Sequence, residues 1–547
     1  MPDGCRENSD NTDAASDGAA DASTPDDGTP DDGTGTAAEA AAVRAATAAP
    51  AATGRRRLVV AALMLAMALT AMDSSVVSTA VPQIVGDLGG FSYFAWMFSG
   101  YLLTVTVTLP VYGKLADSIG RKPVLLVGCG IFLLGSLLCA TAWNMPSLIV
   151  FRLVQGLGGG AIQGTVQTIA ADLYKLKERG RIQAAMSTVW AVSAVAGPTV
   201  GGVLASCANW RWIFLVNLPI GGFALLLLLR ELHESVDRTR RGPIDWAGAV
   251  GLFCSAGLLL FALVQGGVAW AWRSAPSLAV FAASALAAGL TVWIERRAAE
   301  PIIPGWVWRR RVIAGVNLAL GFLGVLMIAP TVFLPMYAQS VLGLAPVAAG
   351  FVLSVMTLSW PLSAALSGRV YLRIGFRDTA LIGGSSATLV LLGFVLLPFG
   401  GAAWQPAAVM LALGACLGLF QLPLIVGVQS SVPWHERGTA TASILFCRQV
   451  GQSLGGVLFA VVANTTLAHW LRDAPAQLRG GLPGSLDDVS DALLDRGRLS
   501  AAATDYLRHT VAAAVSHVYL GAAGAAALAV VVLCTVTPRR FPVVDDS

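Results

Sequence analysis

Charge is scarce in this chain: Asp, Glu, Lys and Arg together make up 12% of 547 residues, against 55% apolar residues. A soluble domain carries about 25% charged residues, so this composition excludes a water-soluble globule and points to an integral membrane protein. Paired cysteines are also lacking. The eight present, Cys5, Cys129, Cys139, Cys207, Cys254, Cys416, Cys447 and Cys534, are scattered and mostly sit inside apolar runs, which implies neither a disulfide framework nor a zinc site. The five histidines, His233, His435, His469, His509 and His517, are dispersed and offer no metal-ligand spacing. No glycine-rich loop is followed by Lys and Ser/Thr, and Gly156 to Gly160 lie within an apolar run rather than after a strand, so ATP hydrolysis is unsupported. Nothing marks an enzyme, and no cofactor is expected.

What is present is a series of long apolar runs, at about 58–80, 95–112, 124–142, 147–171, 183–205, 212–230, 247–266, 276–294, 314–340, 347–367, 379–399, 405–429, 439–464 and 512–536. About 20 apolar residues cross a bilayer as a helix, so the expected fold class is an all-α membrane protein with 14 transmembrane helices. The basic residues sort by side. Arg55, Arg56, Arg57, Lys114, Arg121, Lys122, Lys175, Lys177, Arg179, Arg181, Arg369, Arg373, Arg377, Arg437, Arg539 and Arg540 fall in one set of connections, together with the segments Arg230–Arg241 and Arg296–Arg311. The other set of short connections holds only Arg211 and Arg273. This is the positive-inside bias, and it predicts cytoplasmic termini. The net charge of +4 is then a topology signal and no argument for nucleic acid.

Residues 1–57 are expected to be a disordered acidic cytoplasmic tail: the first 54 carry eleven acids against Arg6 and Arg44 and no apolar run. The runs then group as six, two and six. That grouping predicts an N-terminal six-helix bundle at 58–230, a linker with two extra transmembrane helices at 231–312, a C-terminal six-helix bundle at 313–536 and a cytoplasmic tail at 537–547. Two halves about a central cavity are a common construction of alternating-access transporters. An acidic loop at 465–511, on the side opposite the basic connections, is expected to hold a short amphipathic helix.

Asp73 is the single acid well inside an apolar run. A carboxylate in hydrocarbon costs several kcal/mol, so it should face a cavity, where it becomes a candidate proton-exchanging group. Arg152, Gln155, Gly159, Gln163 and Gln167 share one helical face and form a polar stripe with a fixed cation. The knot Gly113 to Lys122 reads as a clasp between two helices: Asp117 is in reach of Arg121 and Lys122, and Gly113 and Gly120 admit close backbone approach. Gly197, Pro198, Gly201 and Gly202 predict a hinge or seal. Arg448 with Gln449 and Gln452 is a second embedded polar cluster. Trp190, Tyr337 and Trp360, with Gln155, Gln163, Arg448 and Gln452, are candidates to line a cavity for lipophilic or cationic compounds.

At these residues the chain resembles the major facilitator superfamily, in particular its fourteen-span drug:proton antiporter branch, over about residues 58–464 and the last helix. Gly113 to Lys122 resembles the family's loop signature between helices two and three. Arg152, Gln155, Gly156, Gly158 and Gly159 resemble the helix-four signature, and Gly197, Pro198, Gly201 and Gly202 the helix-five signature of antiporters. Met72, Asp73, Ser74, Ser75, Val76 and Val77, with Ala80, Val81 and Pro82, resemble the first-helix box, and Trp210, Arg211, Trp212, Ile213, Phe214, Asn217, Pro219 and Gly221 the entry to helix six. Ser118 and Ile119 depart from the loop signature, where another basic residue is common. The resemblance implies the major facilitator fold and proton-coupled efflux of drug-like or antibiotic small molecules across the plasma membrane, driven by the proton gradient, with Asp73 and Arg152 in proton coupling. The expected partners are a small molecule, protons and the lipid bilayer, with the chain a monomer. Export of an endogenous metabolite or lipid, or a non-transporting membrane sensor, would use the same helices.

Overall fold

Each predicted apolar run coincides with a long helix in the computed structural model, which describes residues 55–542 apart from 74, 78–79, 89–93, 175, 208, 235–244, 267–269, 476–477 and 479–499. The expected acidic tail, most of the basic segment Arg230–Arg241 and the middle of loop 465–511 lie outside the described residues.

The helices are α1 (Arg55–Val77), α2 (Phe94–Ile119), α3 (Arg121–Ala140), α4 (Met145–Leu173), α5 (Leu176–Cys207), α6 (Trp212–Glu231), α7 (Trp246–Gln265) and α8 (Ala275–Glu295). After them come α9 (Arg311–Ser340), α10 (Pro346–Ile374), α11 (Phe376–Val395), α12 (Trp404–Ser430), α13 (Arg437–Arg472) and α14 (Ala501–Thr535). No strand occurs among the described residues. Twelve of the helices are long and apolar enough to cross a membrane. The other two, α2 and α5, are as long as these, with Thr104, Thr106, Thr108 and Tyr112 along one and a charged first turn at Glu178 and Arg179 on the other.

Short connections turn the chain back at most helix ends, and the ends bearing Arg55, Arg121, Arg179, Arg230, Arg373 and Arg437 gather on one side, called here the basic end. The α2–α3 connection is a single residue, Gly120, at φ 101°, and the α10–α11 connection is again a single residue, Gly375, at φ 96°. Both need glycine, since a Cβ is strained there. The same device thus recurs at corresponding places in the expected six-two-six order.

Apolar side chains form one cluster from α1 to α6, around Leu63, Phe132 and Ile162, and a larger one from α9 to α14, around Leu320, Leu417 and Val515. Helices α7 and α8 belong to neither. Leu260 and Leu263 of α7 pack on Val107 of α2, with Phe446 and Val457 of α13 alongside, so the pair lies against the seam between the two groups. The expected loop at 465–511 is partly helix: α13 continues to Arg472 and α14 begins at Ala501, and the Tyr506 hydroxyl donates to the Trp470 carbonyl at 2.7 Å.

Candidate functional site

Asn144 starts α4 with a capping box: its side-chain oxygen accepts from the Ser147 amide at 2.8 Å, and Ser147 Oγ accepts from the Asn144 amide at 3.2 Å. That start places Arg152 about two turns inside the helix. Opposite it, one turn before the end of α1, is Asp73. Both side chains are fully buried, and Arg152 Nη1 lies 2.5 Å from Asp73 Oδ2. Gln155 completes the group: its Nε2 donates to Asp73 Oδ1 at 2.9 Å and its Oε1 accepts from Arg152 Nη1 at 2.9 Å. Ser136 of α3 and Asn217 of α6 extend the network, with Asn217 Nδ2 donating to Ser136 Oγ at 3.0 Å and Gln155 Nε2 reaching it at 3.4 Å. A cavity of about 10 Å³ touches Asp73 and Asn217, a volume of the order that admits one water. The Tyr101 ring caps the Arg152 guanidinium at 4.3 Å.

The other face of Tyr101 belongs to a much larger space. A cavity of about 430 Å³ lies between the two groups of helices, lined by α1, α2, α4 and α5 on one side and by α9, α10, α12 and α13 on the other. Trp190, Trp360, Met67, Met327 and Met356 make it apolar, and Gln163, Gln167, Gln421, Gln449 and Gln452 set amides into it. One charged side chain lines it, Arg448. A π-helical turn at Ala329–Phe333 interrupts α9 and brings Thr331 to the wall. Such turns are frequent at functional sites.

The basic end is closed by contacts that cross between the helix groups. Asp117 of α2 accepts the Gly438 and Thr439 amides at 2.8 and 2.7 Å and the Thr439 hydroxyl at 2.8 Å, so its carboxylate caps the N-terminus of α13. Arg437 Nη1 donates to Asp172 Oδ1 of α4 at 2.6 Å, and Arg121 pairs with the other oxygen of Asp172. Arg121 also donates to the Trp434 carbonyl at 2.6 Å and lies over the Trp434 ring, while Arg179 of α5 donates to Ser430 at 2.9 Å. A Cβ on Gly113 would come within 2.9 Å of the Gly438 carbonyl, so the close approach of α2 to α13 requires glycine. At the opposite end Asp87 accepts from the Trp210 indole at 3.0 Å and from Arg211 at 2.8 Å. The Trp210 and then the Arg211 hydrogen bonds hold the exposed Asp87 carboxyl below its ordinary value of 3.8.

The structure therefore joins Asp73 to Arg152, and puts Gln163, Trp190, Trp360, Arg448 and Gln452 on one cavity. It separates others. Gln155 sits in the Asp73 network, and Tyr337 packs edge-on against Phe394 at 5.5 Å, so neither lines the large cavity. In the loop knot, Asp117 reaches Arg121 at 3.7 Å but not Lys122, whose Nζ donates to the Leu229 carbonyl at 3.0 Å. Glu234 instead accepts the Arg121 and Lys122 amides. Gly197, Pro198, Gly201 and Gly202 lie within the continuous helix α5, where a Cβ on Gly197 would meet Ser75 of α1. Asp172 and Ser136 are functional-site neighbours that sequence reasoning missed, and Asn217 was singled out only within the helix-six signature; Asp172, an acid near the end of α4, carries no other sequence signal.

Residues 63–456 match the Major Facilitator Superfamily. The chain belongs to this superfamily. Among superfamily relatives it is 33% identical over 440 residues to the Multidrug resistance protein 3 of Bacillus subtilis (strain 168), covering 80% of this chain and 85% of that protein. It is 32% identical over 445 residues to the Multidrug transporter protein MdtP of the same organism, covering 80% and 81%. Among solved structures it resembles the human organic anion transporter MFSD10 (TETRAN), with a TM-score of 0.56 at 15% identity, covering 87% of this chain and 99% of that one. The chain is thus a multi-pass membrane protein of a superfamily that includes multidrug transporters, and the large cavity between its helix groups is the candidate site for a small-molecule substrate.

Proposed function

We propose that this protein is a proton-coupled exporter of drug-like small molecules, working by alternating access in the plasma membrane with both termini cytoplasmic. All fourteen long helices cross the bilayer in this reading, as two six-helix halves with α7 and α8 added between them. Helices α2 and α5 face the cavity, with Tyr101 on one and Ser187 on the other. The repeated single-glycine connection at Gly120 and Gly375 supports the two-half division.

One observation carries the proton half of the reading: a fully buried Asp73–Arg152 pair and the substrate cavity share a side chain, Tyr101. With the pair formed, Asp73 accepts from both Arg152 and Gln155. Protonation of Asp73 removes the attraction and leaves Arg152 with Gln155 and the Tyr101 face. Because Tyr101 touches both regions, a substrate pressing on it biases the pair, and opening of the pair loosens the cavity wall. The described conformation, closed at the basic end, is the one with the cytoplasmic side sealed; inward opening requires α13 to leave Asp117 and Asp172.

The test is proton movement driven by substrate in proteoliposomes. Wild-type protein should move protons against an exported fluorescent drug, and Asp73→Asn should bind that drug but move none. Undiminished proton movement in Asp73→Asn removes Asp73 from the mechanism.

A further inference from the structure

The large cavity has a sign. Arg448 enters it from α13 as its one charged wall residue, and no hydrogen bond or ion pair holds the guanidinium among the described residues. The buried arginines Arg152 and Arg437 differ in this respect. Arg152 is neutralised by Asp73, and Arg437 by Asp172. No Asp or Glu lines the cavity to do the same for Arg448. A cation with no ionic partner in an aromatic-walled space attracts anions and repels cations, since opposite charge is what lowers its energy there. The amides around it agree. Gln449 and Gln452 are its neighbours on α13, and Gln421 of α12 and, on the opposite wall, Gln167 of α4 each carry a side-chain oxygen without a hydrogen-bond partner.

From this geometry we infer that the transported molecule is an amphipathic organic acid: an apolar, largely aromatic body carrying one ionised group that pairs with Arg448, with hydroxyl or N–H donors directed to Gln167 and Gln421. The volume of about 430 Å³ suits a body of drug size. Trp190 and Trp360 supply flat faces for it, and the guanidinium fork suits a carboxylate by two parallel N–H···O bonds. The expectation of a lipophilic cargo is kept, and that of a cationic one is replaced. The inference rests on the cavity being the export site, as proposed above, and names the cargo class of that site.

The test uses full-length protein in lipid nanodiscs and three fluorescent probes of one shape: pyrenebutyrate, its neutral primary amide and the ammonium of the same length. The acid should bind about tenfold or more tightly than the amide, an amount typical of one charge-assisted contact, and the ammonium least well. Arg448→Gln should bring the acid down to the amide's affinity, with the variant's thermal unfolding temperature in detergent, close to that of the wild type, showing that it is folded. Arg448→Lys should keep most of the preference. Ammonium binding equal to or tighter than acid in the wild type overturns the inference, without recourse to any variant, and so does an acid preference that survives Arg448→Gln. Proton flux with the same probes keeps the two readings apart. If the acid is preferred but exchanges no protons, the antiport reading falls and this one stands; if the ammonium alone is exchanged for protons, the reverse holds.

Discussion

At Asp73 and Arg152 each side chain makes the other tolerable. A carboxylate and a guanidinium both at zero exposure survive in the helix bundle because they share Gln155 and lie within 2.5 Å of each other. Removing one partner strands the other, a change of ~3–5 kcal/mol for a buried pair. Arg152→Ala should therefore lower the thermal unfolding temperature in detergent well below that of the wild type. Adding Asp73→Asn to it should recover much of the loss, because the stranded charge is gone. Strictly additive effects of the two changes would mean that the pair contributes no coupling. Asp87 differs because its carboxyl is exposed and held below 3.8 by Trp210 and Arg211. A depressed carboxyl contributes stability above its unfolded pKa and loses it as pH falls through the folded one. The Asp87 contacts are accordingly constant from pH 5.5 to 8, and Asp87→Asn should leave the shape of the transport–pH profile over that range unaltered. A midpoint that moves in this variant would place Asp87 among the titrating groups.

Between elements, the decisive contact is the end of α2 against the start of α13. The carboxylate of Asp117 satisfies two orphan amides and a hydroxyl of α13, and loss of such a cap is ~1–2 kcal/mol. Asp117→Ala should move the closed-to-open equilibrium at the basic end by about five- to thirtyfold, and Gly113→Val should act in the same direction by forcing α2 off the Gly438 carbonyl. Spin labels at the exposed Arg181 on α5 and Arg373 on α10 report the opening as a longer distance population; unchanged distances in both variants would show that the contact does not govern closure. Much of the fold at this scale was legible in the sequence, because apolar runs and the sidedness of arginine follow directly from bilayer thickness and insertion. The knot at Gly113 to Lys122 was legible as well, but its destination was not. Asp117 binds backbone amides 321 residues away, and an amide carries no residue-type signal. For the same reason Gln155 and Gln163, on one helical face by spacing alone, could not be divided between the buried pair and the large cavity until α1 and α2 were in place.

For the whole molecule, the charge of the cargo and the coupling ion together set what the membrane potential can do. Export of a monoanion in exchange for one entering proton moves two positive charges inward per cycle. Export of a monocation in the same exchange moves none. An inside-negative potential contributes ~2.3 kcal/mol per charge per 100 mV, so the acid cargo gains ~4.6 kcal/mol per cycle at 100 mV and the cation cargo gains nothing. Arg448 as the uncompensated charge of the cavity selects the first case. In proteoliposomes with equal pH on both sides, a potassium diffusion potential set by valinomycin should by itself drive pyrenebutyrate movement, in the direction that carries positive charge toward the negative side. The driven flux should reverse when the potential is reversed and vanish in Asp73→Asn, where the proton leg is missing. Flux that ignores the potential would exclude a two-charge cycle, and with it the combination of an acidic cargo and a single inward proton.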